Sequence, residues 1–594
     1  MQTVSQSWKS NQKQTIVNES FVEVSLDITD PEALADASSE DNGAVYISNT
    51  QQVVSEVDRN IVPYSTLEQN LWVLDGSRKF IPQDDFGDCG YIGNMLSDGN
   101  GSFSNETPII TVNFTKTHNN LIPAVTITWG TAYNEFAEDF IVTAWNGDTI
   151  VAQKEVVGNT SIKSVVEFDI IGYDRITITV LSWCLPYHRP RIEEIFVGMN
   201  KVYSKSDLFG YKHSQTADPT SSSLPKAEVS FSVSNIDNSY NPYNVNGLSK
   251  YLMERQEVKT RYGFKVNDET TEWIEGGIFY LSSWDAPQNG MTAEFTARDL
   301  LEFMSTMFYE GIYDPNGTNL YSLALQVLQK ADLPLNSDGT VKWVIDESLK
   351  SIYTVAPLPI DTLANCLQLI ANAGQCVLYQ DRKGTLHIER ISEVEDDYSI
   401  THENSYSKSD LVLSKPLKSV EVVAYQYFDG DNTELYKGVL TVNGTLEVIL
   451  TYSDMARNVV ATVSGGTLVS AEYYTNACKL TLSGNGSVDV VITGDALKES
   501  STKVVTDVGI EGEVVSLDNP LITSYDQAVA IGGWIADYLK NRITLKSTFR
   551  ADPRLDVLDI VENINDYNTN KVRVTNVAYE YNGAFRGTVE GRVK

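Results

Sequence analysis

Strict alternation opens the chain: Val22, Val24, Leu26 and Ile28 are apolar, while Glu23, Ser25 and Asp27 between them are polar. Successive side chains of a strand point to opposite faces, so this stretch predicts a half-buried β-strand. Runs of similar character follow at 44–54 and 65–75, the second closing on the turn residues Asp75, Gly76 and Ser77. Beyond a Gly/Asp/Ser-rich stretch at 84–104 come short β-like runs at 109–114, 124–129, 140–145, 149–157, 164–171, 175–183 and 191–198. Evenly spaced short strands with polar turns such as Asn146-Gly147-Asp148 describe a β-sandwich of about 100 residues. A second polar stretch, 215–225, precedes strands at 227–233, 256–266, 271–284 and 291–297. The pattern before 84 matches the one after 226, so the sandwich is expected to be inserted into a surrounding β-domain.

The period changes near residue 300. Leu320, Leu323, Val327 and Leu328 predict a helix over 320–331, and Leu363, Leu367 and Ile370 predict another over 360–373. The second has Asp361 or Thr362 to cap its start and Gly374 to end it. It runs into a hairpin around Asp381-Arg382-Lys383-Gly384, making a small α/β unit. Strands return from 411, interrupted by a helix over 525–540 whose Val529, Trp534, Ile535 and Leu539 are expected to face inward. Gly484-Asn485-Gly486-Ser487 reads as a hairpin turn between two strands. The fold class is therefore mainly β, an α+β multidomain chain. Residues 1–84 and 205–304 form the two parts of a β-barrel domain, and 85–204 form the inserted sandwich. Residues 305–405 form the α/β domain, and 406–594 a second β-rich domain with one helix.

Charge narrows the class of function. The chain carries 79 acidic and 45 basic side chains, a net of −34, and the first 100 residues hold sixteen acidic against five basic. Such a surface repels phosphate, and no Lys/Arg stripe offers the counterion release that nucleic-acid binding needs. No apolar run reaches the length of a membrane span. The polar first 20 residues lack the apolar core of a secretory leader, so assembly in a cytoplasm is expected. Five scattered cysteines without C-x-x-C predict buried free thiols rather than a zinc cage or a disulfide framework.

Catalytic signatures do not emerge. None of His118, His188, His213, His387 and His402 sits in a metal-binding spacing, and no Walker loop, G-x-S-x-G or dinucleotide motif occurs. The expectation is a protein that is not an enzyme and uses no cofactor and no metal. Asp98-Gly99-Asn100-Gly101-Ser102 and Asp429-Gly430-Asp431-Asn432 resemble the start of calcium loops but lack the downstream Glu, so both read as turns. The sandwich offers the one candidate ligand surface, a carbohydrate site built from Trp129, Tyr133, Trp145, Tyr187, His188 and Arg189. Aromatic faces stack on sugar rings while polar neighbours fix orientation. The competing reading is that Trp129, Trp145 and Trp183, each ending an apolar strand, fill the core.

Several motifs recur in a telling order. Ser65-Thr66-Leu67-Glu68-Gln69-Asn70 leads to Leu74-Asp75-Gly76-Ser77, then Asn241-Pro242-Tyr243-Asn244, Glu275-Gly276-Gly277-Ile278-Phe279-Tyr280-Leu281 and Ala297-Arg298-Asp299-Leu300-Leu301. Ala373-Gly374-Gln375-Cys376, Tyr379-Gln380-Asp381-Arg382-Lys383-Gly384, Asn519-Pro520-Leu521-Ile522, Asp552-Pro553-Arg554-Leu555-Asp556 and Tyr581-Asn582-Gly583-Ala584-Phe585-Arg586-Gly587 follow. This set resembles the tail-tip (baseplate) hub or tail-associated minor structural proteins of phages and prophages that infect Gram-positive bacteria, over roughly residues 15–80 and 205–594. The resemblance implies a virion protein, a homotrimer whose two tube-like barrel domains per subunit make a pseudo-sixfold ring. Its implied neighbours are tail-tube, distal-tail and baseplate proteins, with phage DNA passing through unbound. The sandwich departs from the pattern and is similar to carbohydrate-binding modules, which adds a host cell-surface glycan as an expected partner. The chain also stops at Lys594 without the peptidase or lysin extension of some relatives, which argues against cell-wall cleavage. The rival readings are a hub-borne cell-wall hydrolase and a peripheral receptor-binding tail protein. No heptad run supports the stalk expected of the latter. An axial channel lined by carboxylates, on the pattern of Glu23, Ser25 and Asp27, is a further expectation.

Overall fold

The computed structural model describes the chain apart from residues 15–17, 43–44, 49, 55–60, 62, 81–88, 105, 268–269, 288–289, 337–339, 565 and 567. The expected boundary at 84/85 and part of the run 44–54 thus lie outside the described residues. Strand outweighs helix, 51% to 12%, so the fold is mainly β as its patterning predicts.

The predicted first strand forms as Ser20–Thr29, and its apolar face turns inward, with Val22, Val24, Leu26 and Ile28 buried. It lies between Gly198–Tyr203 and Glu257–Lys265. From there a thirteen-stranded sheet continues through Thr271–Asp285, Thr292–Arg298, Lys226–Ser234 and Leu208–Thr216. The next strand comes from the far end of the chain: Leu208–Thr216 pairs antiparallel with Thr569–Tyr581, His213 opposite Tyr579. Phe585–Val593, Ile543–Arg550 and Asp410–Leu413 complete the path. One apolar core serves both ends, joining Val24, Tyr262, Phe264 and Phe295 to Phe549, Tyr579 and Phe585. A short helix that the hydrophobic pattern did not announce, Gln6–Gln12, seals this core with Trp8, whose ring meets Phe264 edge-on at 4.6 Å.

The sandwich leaves this sheet after Thr29 and returns at Gly198, two residues paired across neighbouring antiparallel strands. Five strands, Ser38–Asp41, Ile109–His118, Tyr173–Trp183, Ala137–Asn146 and Thr149–Val156, form one layer. Ile122–Thr128, Lys163–Ile170 and Glu194–Phe196 form the other. Ala33 and Val53 belong to its core, so the insertion takes up residues from about Asp30 onward rather than from 85.

Residues 417–517 fold apart from the terminal strands. Leu417–Thr451 and Ala477–Asp507 pair as one long ribbon. Gly484–Ser487 lies inside the second strand and is not a turn between two strands, a correction to the pattern reading. Gly484 faces Gly444, where glycines at positive φ (Gly444 +81°, Gly486 +117°) bend the ribbon without interrupting its ladder. The ribbon folds back, so that Ser453 donates its N–H to the Leu435 carbonyl at 3.0 Å and Leu435, Leu450, Cys478 and Val490 share a core.

The two helices of the α/β unit are Leu320–Lys330 and Leu363–Ala373. Asn319 Oδ1 accepts the Ser322 N–H at 2.8 Å and Thr362 Oγ1 the Asn365 N–H at 3.2 Å, each satisfying a donor the first turn leaves open. Tyr525–Leu539 is also helical, but it buries Ala528, Ile531, Gly532, Ile535 and Ala536, while Val529 is 44% exposed. Of the four residues expected inward, Ile535 is buried and Trp534 and Leu539 pack partly buried against the same core, so only Val529 departs, and small residues fill the rest of the buried stripe. A Cβ on Gly532 would stand 2.5 Å from Thr506 Oγ1. Four of the five cysteines are buried and Cys184 is half-buried.

Candidate functional site

The six residues proposed as a sugar site do not share one surface. Trp129 is 0% exposed, donates its indole N–H to Ser164 Oγ at 2.9 Å and meets Phe140 and Trp183 edge-on. It is a core residue, because an apolar strand end buried between two layers leaves no ring face for a ligand. Trp145 sits at the opposite end of strand Ala137–Asn146, half-buried, with its N–H on Thr177 Oγ1 at 3.0 Å and the Arg175 guanidinium 5.1 Å from its ring. Eight residues of strand separate it from Ala137, about 26 Å.

Tyr133, Tyr187, His188 and Arg189 do converge, at the Ala137 end of the sandwich, but around a buried ionic network that sequence reading missed. Arg191 reaches Glu135 at 3.3 Å and also pairs with Glu68, 123 residues before it. Glu135 further accepts the Trp183 indole N–H at 2.8 Å and lies 2.8 Å from His188 Nδ1. Glu68 takes the Arg189 backbone N–H at 2.6 Å and the Thr66 hydroxyl. The Arg189 side chain donates to the Asn94 carbonyl, and the Tyr133 ring stacks 4.2 Å from the Arg191 guanidinium. Burial pulls the Arg191 pKa down, but Glu68 and Glu135 outweigh it and hold the group above its ordinary value. His188 and Arg189 are therefore buried parts of a brace, not surface contacts. Tyr187 is 52% exposed, at φ +61°, against Gly99. In the adjoining turn Asp98 Oδ1 accepts the N–H groups of Asn100 and Ser102 at 2.8 and 2.9 Å, which is turn chemistry.

What the brace holds is the segment 63–80. Ser65 donates to the Lys79 carbonyl at 2.8 Å and Lys79 to that of Pro63 at 2.9 Å, closing the segment on itself. Trp72 and Phe80 stand out of it, 49% and 45% exposed, with ring centroids 5.2 Å apart at 71°. Arg78 donates to the Leu71 carbonyl at 3.2 Å and lies 5.6 Å from the Tyr133 ring. Trp72 lies in the run 65–75 that the pattern read as a strand, but the segment is turn and coil with an isolated bridge from Tyr64 to Lys79, and Phe80 lies outside the predicted runs.

A second concave feature, a cavity of about 690 Å³, lies where the α/β hairpin meets the main sheet. Arg382 lines it, donating to Asp556 Oδ1 at 2.6 Å, the Leu555 carbonyl at 2.8 Å and the Glu275 carbonyl at 3.0 Å. Burial, reinforced by neighbouring Asp556, pushes the Asp559 carboxyl up to about 7. His387 stacks on Tyr379 at 4.8 Å between Asp381 and Glu389; burial lowers its pKa, but the two carboxylates raise it above the usual value. These charges cross-link three parts of the chain. Among the described residues no group of three or more His, Cys, Asp or Glu side chains is arranged to hold a metal ion.

The strand carrying Glu23, Ser25 and Asp27 does not present bare carboxylates. Glu23 Oε1 pairs with Arg261 at 2.6 Å, and Asp27 is buried 3.6 Å from Lys259. Lys342 of the α/β unit reaches the adjoining Glu257 at 3.3 Å, covering part of that face.

No protein-family model matches this sequence, and no curated protein matches it either. Solved structures similar to it include the 43 kDa tail protein of prophage MuSo2 from Shewanella oneidensis, 11% identical at a TM-score of 0.37 over 66% of this chain and 95% of that one. A tail protein from Neisseria meningitidis is 8% identical at 0.39, over 66% and 93%. Prophage tail protein gp18 from Listeria monocytogenes is 9% identical at 0.36, over 66% and 91%. Likeness of this degree leaves the role to be argued from the chain's own residues.

Proposed function

We propose that this chain is a structural hub of a bacteriophage tail tip or baseplate, three copies of which form a ring that continues or closes the tail tube. The observation that carries the reading is the sheet in which strands from 20–298 and 543–593 lie side by side through Leu208–Thr216 and Thr569–Tyr581. Two β-lobes per chain, joined edge to edge, suit a wall of six lobes from three subunits, since cyclic closure needs two different complementary faces on each copy. The order of motifs along the chain supports the same reading. The neighbours would be tail-tube, distal-tail and other baseplate proteins, in the virion. An excess of 79 acidic over 45 basic side chains lets DNA pass without counterion-driven retention. The sandwich, hung from the sheet at Thr29 and Gly198, faces outward toward host surface glycans. Imaging of assembled tips together with light scattering on the purified protein tests the assembly. Three copies per ring are expected; a stable monomer in the tip, or a true hexamer, overturns it. Incubation with host cell walls is expected to release no soluble fragments, and release would favour a hydrolase instead.

A further inference from the structure

The glycan contact, if the sandwich has one, cannot be the buried residues around Glu135. Segment 63–80 offers a different answer. Two large aromatics with about half their surface in water, packed edge to face, are unusual on a soluble surface unless they meet something. Leu67 and Leu74 of the same segment are also exposed, at 66% and 62%.

The segment is also held far more firmly than an ordinary loop. Its Glu68 is withdrawn from water and neutralised by Arg191, which must at the same time satisfy Glu135. Its Tyr64 is buried, with its backbone N–H donated to the Tyr133 hydroxyl at 2.6 Å. Burying charges gains little stability over packed apolar side chains, so the benefit of such a brace is a fixed geometry. A fixed geometry lowers the entropy lost when a ligand is bound.

Charge then selects the ligand. With Glu68 neutralised internally, the remaining charges of segment 63–80 are Asp75, Arg78 and Lys79, a positive balance in a chain of net −34. Arg78 is fixed against Tyr133, and Lys79 Nζ lies 5.9 Å from the Tyr64 ring. Both cations therefore stand at set positions beside Phe80. Aromatic faces with fixed cations beside them fit a sugar ring bearing an acidic group.

We propose that segment 63–80 is the ligand contact of the sandwich, Trp72 and Phe80 taking the faces of sugar rings and Arg78 and Lys79 the carboxylate or phosphate groups of an anionic polysaccharide. This rests on the reading of the sandwich as the outward, glycan-facing part of the hub.

Affinity electrophoresis of the full chain through gels containing alginate, a polyuronate, or neutral dextran tests it. Alginate is expected to retard the chain, and dextran to do so much less. Trp72→Ala should weaken retardation by alginate roughly tenfold, the loss of one stacking ring. Arg78→Ala with Lys79→Ala should weaken it further and flatten its dependence on salt. All three positions are exposed or half-buried, so thermal melts should stay as in the parent. Retardation that survives Trp72→Ala and Phe80→Ala together overturns the assignment of this segment and leaves the glycan reading standing. No retardation of the parent chain by either polysaccharide overturns both. Unchanged retardation combined with failure of the Trp72 and Phe80 variants to join assembled tips would make the patch a contact between tail proteins, which also overturns the proposal.

Discussion

The sandwich and the last strands of the chain are both additions to the same sheet, and they are joined to it in opposite ways. The sandwich departs and returns between Thr29 and Gly198, which already face each other across two antiparallel strands, and its core is separate apart from Ala124, which is buried with the main sheet. Residues 543–593 enter the sheet along six consecutive pairs, from Tyr211 opposite Tyr581 to Thr216 opposite Asn576. They give Phe549, Tyr579 and Phe585 to the core that also holds Val24 and Tyr262. An insertion at the site of a hairpin turn asks almost nothing of its host, whereas a strand from the far end of the chain completes the host's core. The sandwich is thus free to vary while the sheet is not.

The largest effect should come from exchanging these two fates. A chain ending at residue 542 is expected to lose the cooperative unfolding of the main sheet, because Leu208–Thr216 and the core beneath it lose their partners. Excision of 30–197, with Thr29 joined to Gly198 through a two-residue turn, should leave a cooperatively melting remainder. Calorimetry distinguishes the outcomes, and a molten remainder after excision would make the sandwich part of the host fold.

Two buried arginines sharpen the comparison at the next scale. Arg382→Ala strands Asp556 and removes donors from two carbonyls, and Arg191→Ala strands both Glu68 and Glu135. Each is expected to cost about 3–5 kcal/mol. The first should lower the transition of the main sheet and the second that of the sandwich, so a shift of both transitions by either variant would show one cooperative body.

His213 gives a pH-dependent version of the same test. Burial, with Arg382 nearby, holds its imidazole down at about 3, against an ordinary 6.5. Between those values the unfolded chain takes up a proton that the folded chain refuses, so stability falls as pH falls. The contribution is about 3 kcal/mol between pH 7 and pH 4. Denaturant titrations of His213→Phe at the two pH values should show a correspondingly smaller loss, confined to the transition of the main sheet. An unchanged pH dependence would mean that this histidine does not stay neutral in the fold.

Local periodicity made many of these elements legible in advance. Val22 to Ile28, the strands of the sandwich, and the helices from Leu320, Leu363 and Tyr525 all announce themselves by spacing, and the helix from Leu363 by its caps as well. What sequence could not give was pairing at a distance. Nothing near Glu68 points to Arg191, and nothing near Leu208 points to Tyr581, because a carboxylate or an alternating strand looks the same whichever partner it meets. The candidate site failed for a related reason: Trp129 and Trp72 are the same residue type, and only the second layer of the sandwich decides which is buried. Gly484 and Gly486 misled because glycine serves a bend within a strand as well as it serves a turn.

The smallest effect tests where the α/β unit belongs in this comparison. Its helices share one apolar core with the ribbon and the late helix, since Leu320, Leu367 and Ile370 are buried together with Val420, Val422 and Ile535. Gln380 ties it to the main sheet as well, its carbonyl accepting the Gln215 amide at 3.1 Å and its side chain the Leu300 N–H at 2.7 Å. Thr362→Ala removes the hydroxyl that accepts the Asn365 N–H and should cost about 1 kcal/mol. Because the unit is bound to its neighbours by a shared core, that loss should be spread over the transition of the host and should leave the sandwich untouched. If Thr362→Ala instead moves a third, separate transition, the α/β unit unfolds by itself, and the molecule would be an assembly of independent bodies to which the sandwich is only one more addition.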